Sequence, residues 1–253
     1  MIYDMQRASF LKRVPAWLLD IILLVTLATG MIAGLAYILD MDGHNEKLDA
    51  IYAGYEEQYG ISFDSTEADF AAMTEDELAV YEAAAEALSK DTEAQKTFEL
   101  VMSLTLVTLS GGILGAFLLL EFLVPLWLKN GQTLGKKVFG VALMRKDGVK
   151  VTPFMMFART ILGKYTLETM IPVLLLVMMF FGFLGMEGLL VFGLILLLQI
   201  IIPLVTRNKT GIHDILACTV AVDLSSQMIF DSPEEQLEHH KKIHGENASQ
   251  ADY

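Results

Sequence analysis

Residues 21–39 contain no charged side chain, and a helix of that length crosses a hydrocarbon core of about 30 Å. The stretch constrains everything else, because backbone polar groups inside a bilayer must be satisfied within a helix or a closed barrel. Three more stretches are long and apolar enough to span, residues 100–128, 167–185 and 188–205, and the first span opens at residue 15. None has a lysine or arginine in its apolar centre. A mean hydropathy of +0.48 with 54% hydrophobic residues fits an all-α polytopic membrane protein with four transmembrane helices. The first apolar run is too long for a signal peptide and lacks a small-residue cleavage site, so it reads as a retained anchor.

Arg13 and Asp20 stand at the entrance of the first span, seven residues apart. At ~100° per residue that separation returns both to one helical face. A carboxylate below the headgroups costs about 2.5–3.5 kcal/mol at the membrane centre, and less toward the interface, unless it is paired or hydrated. Arg13 is two turns away, roughly 10 Å along the axis, so a partner from a distant part of the chain is expected for Asp20. Glu121, at the matching end of the second span, is expected to share a layer with Asp20, either as a pair that binds a cation or shares a proton, or as a structural charge meeting Arg13. Gly30 with Gly34 and Gly111 with Gly115 have the spacing of close helix packing, and Gln199 is expected to hydrogen-bond a neighbouring helix.

The net charge of −13 is unevenly distributed. Residues 40–97 hold only Lys47, Lys90 and Lys96 among many Asp and Glu, whereas the next polar loop holds Lys129, Lys136, Lys137, Arg145, Lys146, Lys150, Arg159 and Lys164. The positive-inside bias places the N-terminus, this basic loop and the C-terminal tail in the cytoplasm and the acidic segment outside. Trp17 and Trp127 then fall at the cytoplasmic interface. In the acidic segment Leu48, Tyr52, Tyr55 and Tyr59, and again Leu78, Tyr81, Ala85 and Leu88, recur at helical spacing, which predicts an extracellular helical insertion. Thr74 with Glu77 and Thr92 with Gln95 have capping-box spacing, and the second of these helices is expected to run on into the second span.

The cytoplasmic loop turns at Gly131 and Gly135, then predicts a hairpin of residues 138–144 and 149–152 around Asp147-Gly148. Residues 218–223 alternate and would add a third strand to this small β-ribbon. Thr152-Pro153 starts a helix expected to lie in the interface. The expected organisation is residues 1–39 as N-terminus and first span, 40–97 as insertion, 98–128 as second span, 129–166 as cytoplasmic loop, 167–205 as third and fourth spans, 206–224 as a segment with His213-Asp214 and a strand, and 225–253 as a flexible tail.

Enzymatic function is not expected, because no nucleophile is tied by spacing to His213-Asp214 and no phosphate loop is present. The lone Cys218 excludes an internal disulfide. His239, His240 and His244 have metal-ligand spacing, but they stand in a polar tail and are read as adventitious, so no metal or cofactor is expected. Lipid headgroups account for the basic loop at about 1 kcal/mol per lysine, which disfavours nucleic acid as a partner.

Three blocks together resemble the RDD family of small bacterial membrane proteins. They are Arg13-Val14-Pro15-Ala16 through Asp20, Gly131-Gln132-Thr133-Leu134-Gly135-Lys136-Lys137, and Gly211-Ile212-His213-Asp214 with Thr219. The arginine and two aspartates that name the family correspond to Arg13, Asp20 and Asp214. Cys218 stands where family members usually carry glycine, and neither the insertion nor the tail after Leu224 is covered. The resemblance implies a plasma-membrane protein whose suggested roles are sodium/proton exchange or restraint of a membrane protease.

The residues themselves add the expectation that Arg13, Asp20, Asp214 and the lysines after Gly135 meet at the cytoplasmic face. Two functions follow. One is an exchanger-like transporter of a proton or small cation using Asp20 and Glu121. The other is a non-catalytic partner of another membrane protein. The apolar outer halves of the spans make the first depend on a homo-oligomer or larger assembly in the lipid bilayer.

Overall fold

The structure, a computed structural model, describes residues 5–128, 130–206 and 208–251, without the side chains of Glu67 and of residues 243–251. Lys129 and the His244 side chain, named above, lie outside the described residues, as does Arg207. Four helices are long and apolar enough to cross a membrane: α1 (Phe10–Ile38), α5 (Thr92–Trp127), α7 (Pro153–Phe180) and α8 (Met186–Val205). The remaining helices are α2 (Met41–Tyr59), α3 (Glu67–Ala72), α4 (Glu75–Lys90), α6 (Leu134–Val138), α9 (Ile212–Leu216) and α10 (Pro233–Ala251), with strands β1 (Val141–Arg145) and β2 (Thr219–Asp223). The all-α polytopic reading therefore stands, and its small β-ribbon is a two-stranded antiparallel sheet. Contacts group the chain into two compact units, one of them Thr29–Gly112 and the other formed by the residues on either side of it.

In the Thr29–Gly112 unit, α2 follows α1 across Asp40, whose positive φ of 50° bends the chain. Helices α2 and α4 pack together, with Phe63 bridging the rings of Tyr52 and Tyr81 at centroid distances of 5.6 and 5.7 Å. Thr74 and Glu77 form the expected capping box, and Thr66 with Asp69 forms a second one that starts α3. The Thr92 cap does not form. Asp91 takes that role, accepting from the Glu93 and Ala94 amides at 2.7 and 3.3 Å, because a carboxylate one residue earlier reaches the free N–H groups first. Helix α5 runs unbroken into the second span and is 36 residues long.

The first glycine pair behaves unlike its spacing, while a methyl group at Gly111 would meet the Leu35 side chain at 3.4 Å. A methyl group at Gly30 or Gly34 would meet nothing within 4 Å, whereas one at Gly112 would lie 2.9 Å from the Ile32 amide and 3.0 Å from its Cα. Close approach thus occurs at Gly112 against Ile32. Gly112→Ala is expected to lower the thermal midpoint in detergent by several degrees, while Gly30→Ala and Gly34→Ala leave it unchanged or raise it through helix propensity. Equal losses at all three would contradict this packing.

In the other unit, the separate interfacial helix and third span expected from the sequence are one continuous helix, α7. Its first half keeps Phe154 and Leu162 exposed, at 77% and 48%, but turns its arginine inward: Arg159 is 2% exposed and its charge is met inside the protein. Residues 181–185, turning through Gly182 at φ 74°, join α7 to α8, so the linking turn precedes Met186.

Both α5 and α7 contain π-helical turns, at Phe117–Leu123 and Ala158–Met170, each ending just before a proline, Pro125 or Pro172. A proline cannot donate to the carbonyl four residues back. Those carbonyls belong to Glu121 and Glu168, and each is satisfied from another helix, by the Thr160 hydroxyl at 2.9 Å and by the Gln199 amide at 3.0 Å.

The predicted hairpin is reduced to a turn. β1 pairs antiparallel with β2, Val141 opposite Asp223 through Arg145 opposite Thr219, and residues 149–150 add only isolated bridges. The late segment wins because its Val220 and Val222 bury completely with Ala142 and Met144. Arg7 bridges Val222 on the other edge of β2, and Lys12 Nζ, 2.7 Å from Asp223, ties the start of α1 to the ribbon. That lysine and the Ser225 hydroxyl hold the Asp223 carboxyl down at about 2.

Candidate functional site: a buried ionic network

Asp20 finds its partner in the second block of the sequence. Thr133 caps α6, its side-chain oxygen accepting from the Lys136 amide at 3.3 Å, and its hydroxyl donates to Asp20 Oδ2. The Gly135 amide donates to Asp20 Oδ1 at 2.7 Å, and Lys136 Nζ lies 3.5 Å from Oδ2. The Asp20 carboxylate is thus held by a helix N-terminus and an ammonium, the combination that best offsets a buried negative charge. Gly135 makes this possible, since a methyl group there would sit 2.2 Å from the Ala16 carbonyl oxygen. Gly131 and Gln132 shape the approach. Gly131 turns at φ 60° against Leu143, and the Gln132 amide donates to the Val141 carbonyl at 2.7 Å, pinning the block to β1.

Asp214, at 3% exposed, sits on α9 and is gripped by Arg159 Nε at 2.8 Å and by the Thr219 hydroxyl at 2.9 Å. Burial pushes its carboxyl up, but Arg159 and His213 outweigh that and hold it well below the usual carboxylate range. The His213 ring lies between two acids, Nδ1 2.7 Å from Glu168 Oε2 and Nε2 3.5 Å from Asp214 Oδ2, so only the protonated ring donates to both. Gly163 admits this arrangement: a methyl group there would meet His213 Cα at 2.7 Å.

Glu121 connects the two ends. It is 3% exposed, receives Lys164 Nζ at 2.6 Å, and lies 3.9 Å from Arg159 NH1. Asp20 and Glu121 line one narrow gap with Leu23, Leu120 and Leu134, and it has no room for a water molecule. Lys136 feels Asp20, Glu121, Lys164 and Arg159 together. Burial, then Lys164 and Arg159, push its ammonium down to about 8 against the two acids.

Asp20, Asp214, Glu121 and Lys136 thus belong to one buried network, with Asp20 and Asp214 at opposite ends rather than in contact. Arg13 pairs with neither aspartate directly. Its guanidinium donates at 2.6 Å to the carbonyl of Lys209, a residue bent at φ 52°, and the charges of Asp214 and Arg159 act on it from a distance. Lys137 is exposed and stays outside the network.

Arg159, Lys164 and Glu168 are the members that sequence reasoning left at the membrane surface or passed over. Glu168 had a signal, since Glu-x-x-x-Pro occurs at both Glu121 and Glu168. Among the described residues no group of His, Cys, Asp and Glu is placed to hold a metal ion, and His239 and His240 pack on the Phe230 ring instead.

Among curated proteins and among solved structures, none matches the chain. The profile of the RDD family matches residues 7–218, which take in Arg13, the Gly131–Lys137 block and Asp214. With that match covering most of its length and the arginine and both aspartates of the motif, the chain belongs to the RDD family.

Proposed function

We propose that the chain moves a proton or a small cation across a bacterial plasma membrane, exchanger-like, from the gap lined by Asp20 and Glu121 near the cytoplasmic face. The carrying observation is that two buried carboxylates from different helices line one narrow gap under the influence of the same part-buried lysine. While Lys136 is protonated it offsets both acids. Once it loses that proton, the gap favours an incoming proton or cation. The lysine-rich loop favours a cytoplasmic N-terminus, ribbon and tail. A route onward from the gap requires these helices to rearrange or a second copy to complete it. No step in this reading goes beyond proton transfer and ion binding, so the protein is not proposed to be an enzyme.

Sodium or proton flux in vesicles containing the full chain tests the proposal. Asp20→Asn is expected to lower flux at least about tenfold, and unchanged flux removes the reading. Because the ammonium titrates near 8, cation uptake should rise as pH increases through about 8, and Lys136→Gln should abolish that step.

The acidic face of α4 favours a second reading, a non-catalytic partner of another membrane protein. Glu75, Asp76 and Glu77 are all exposed in its first turn. Deleting residues 40–97 should then release a co-purifying protein, and full retention of partners would count against it.

A further inference from the structure

The Thr29–Gly112 unit is strongly acidic, yet its few cationic side chains are not spread over it. A groove of about 550 Å³ between the starts of α2 and α5 is lined by His44, Lys47 and Lys96, with Glu93 and Thr97 on its wall and Leu100 at its apolar end. His44 is the only histidine of residues 40–97, and Lys47 and Lys96 are two of its three lysines. The third, Lys90, is held by Glu86 on its own helix. Lys47 reaches Glu93 at 2.9 Å across an exposed surface, a pairing that water and salt weaken. Among the described residues Lys96 pairs with no carboxylate.

The groove lies where polar helix gives way to membrane-spanning helix. Leu100 is 43% exposed and opens the apolar part of α5, one turn below Lys96. Tyr37 and Ile38, at the end of α1, are 87% and 75% exposed. An exposed tyrosine at the end of a span is typical of the headgroup level. Cations above and exposed apolar side chains below match a molecule with an anionic head and hydrocarbon tail.

We propose that this groove binds the phosphate of an anionic phospholipid, its acyl chains lying along Leu100 and the exposed apolar surface of α5. The acidic surroundings make the groove selective, because two of the three lysines of residues 40–97, Lys47 and Lys96, line it together. Lys96 meets the phosphate directly, and Lys47 swings to it from Glu93. A dissolved phosphate ion would satisfy the cations but leave the apolar end of the groove in water. The site is independent of the Asp20 network and stands whether or not the chain transports anything.

Native mass spectrometry of the full-length chain released from micelles, with phosphatidylglycerol or phosphatidylcholine added, tests the assignment. Phosphatidylglycerol should be retained in preference. Lys96→Gln and Lys47→Gln should each weaken retention about fivefold, and Lys96→Arg and Lys90→Gln should leave it unchanged. Unaltered retention in Lys96→Gln/Lys47→Gln, equal retention of the two lipids, or an equal loss in Lys90→Gln would overturn the site. Displacement of the lipid by millimolar inorganic phosphate would overturn the lipid as its occupant.

Discussion

Arg159→Met should lower the unfolding free energy of the detergent-solubilised chain by about 3–5 kcal/mol, the range for breaking a buried ion pair from one side. The residue is 2% exposed, donates from Nε to Asp214 at 2.8 Å and faces Glu121 at 3.9 Å. Without it, Asp214 keeps only Thr219 and His213, and a buried carboxylate is left undercompensated. Arg159→Met with Asp214→Leu should recover much of the loss, since removing both charges also removes the need to desolvate them.

The pH dependence has a defined sign. The Asp214 carboxyl is held well below its ordinary value, so its contribution is present above the usual carboxylate range and is lost as pH falls through the lowered folded value. The penalty in Arg159→Met should therefore be full at neutral pH and shrink in acid, as Asp214 of the variant takes up a proton earlier. Denaturant unfolding followed by circular dichroism at several pH values measures both. A loss under about 1 kcal/mol at neutral pH would show that the pair does not hold α9 to α7.

Four spans, their order and the late strand were legible because each rests on a local pattern: an apolar run, a capping residue, an alternation. The site was legible only in part, for a physical reason. Asp20 announced itself, since a carboxylate inside an apolar run has no local explanation. Arg159 and Lys164 stand beside polar neighbours, where a helix at the interface accounts for them equally well, and only tertiary packing turns Arg159 inward. Two helical turns between Arg13 and Asp20 make direct pairing strained, but nothing in the chain foretells that Arg13 donates to the Lys209 carbonyl. Paired small residues likewise mark where a helix is able to approach another, while Gly112 against Ile32 shows where it does.

Gly135→Ala should be the most damaging conservative change in the Asp20 block, at roughly 3 kcal/mol or more. The added carbon would lie 2.2 Å from the Ala16 carbonyl oxygen and 2.8 Å from Asp20 Oδ1. Neither neighbour has room to yield, because one is helical backbone and the other is the carboxylate that the Gly135 amide itself holds at 2.7 Å. α6 must shift outward, which pulls the Gly135 amide, and with it Thr133 and Lys136, away from a buried charge. Gly140→Ala makes the comparison sharp. It has φ 65° and nothing within 4 Å, so its cost is backbone strain alone, about 1–2 kcal/mol. Ala16→Gly should fail to rescue Gly135→Ala, since the atom in the way is the carbonyl and not the Ala16 methyl. Thermal unfolding of the three variants in detergent decides the matter. Rescue by Ala16→Gly, or a Gly135→Ala loss no larger than that of Gly140→Ala, would mean that Asp20 is not clamped by this turn.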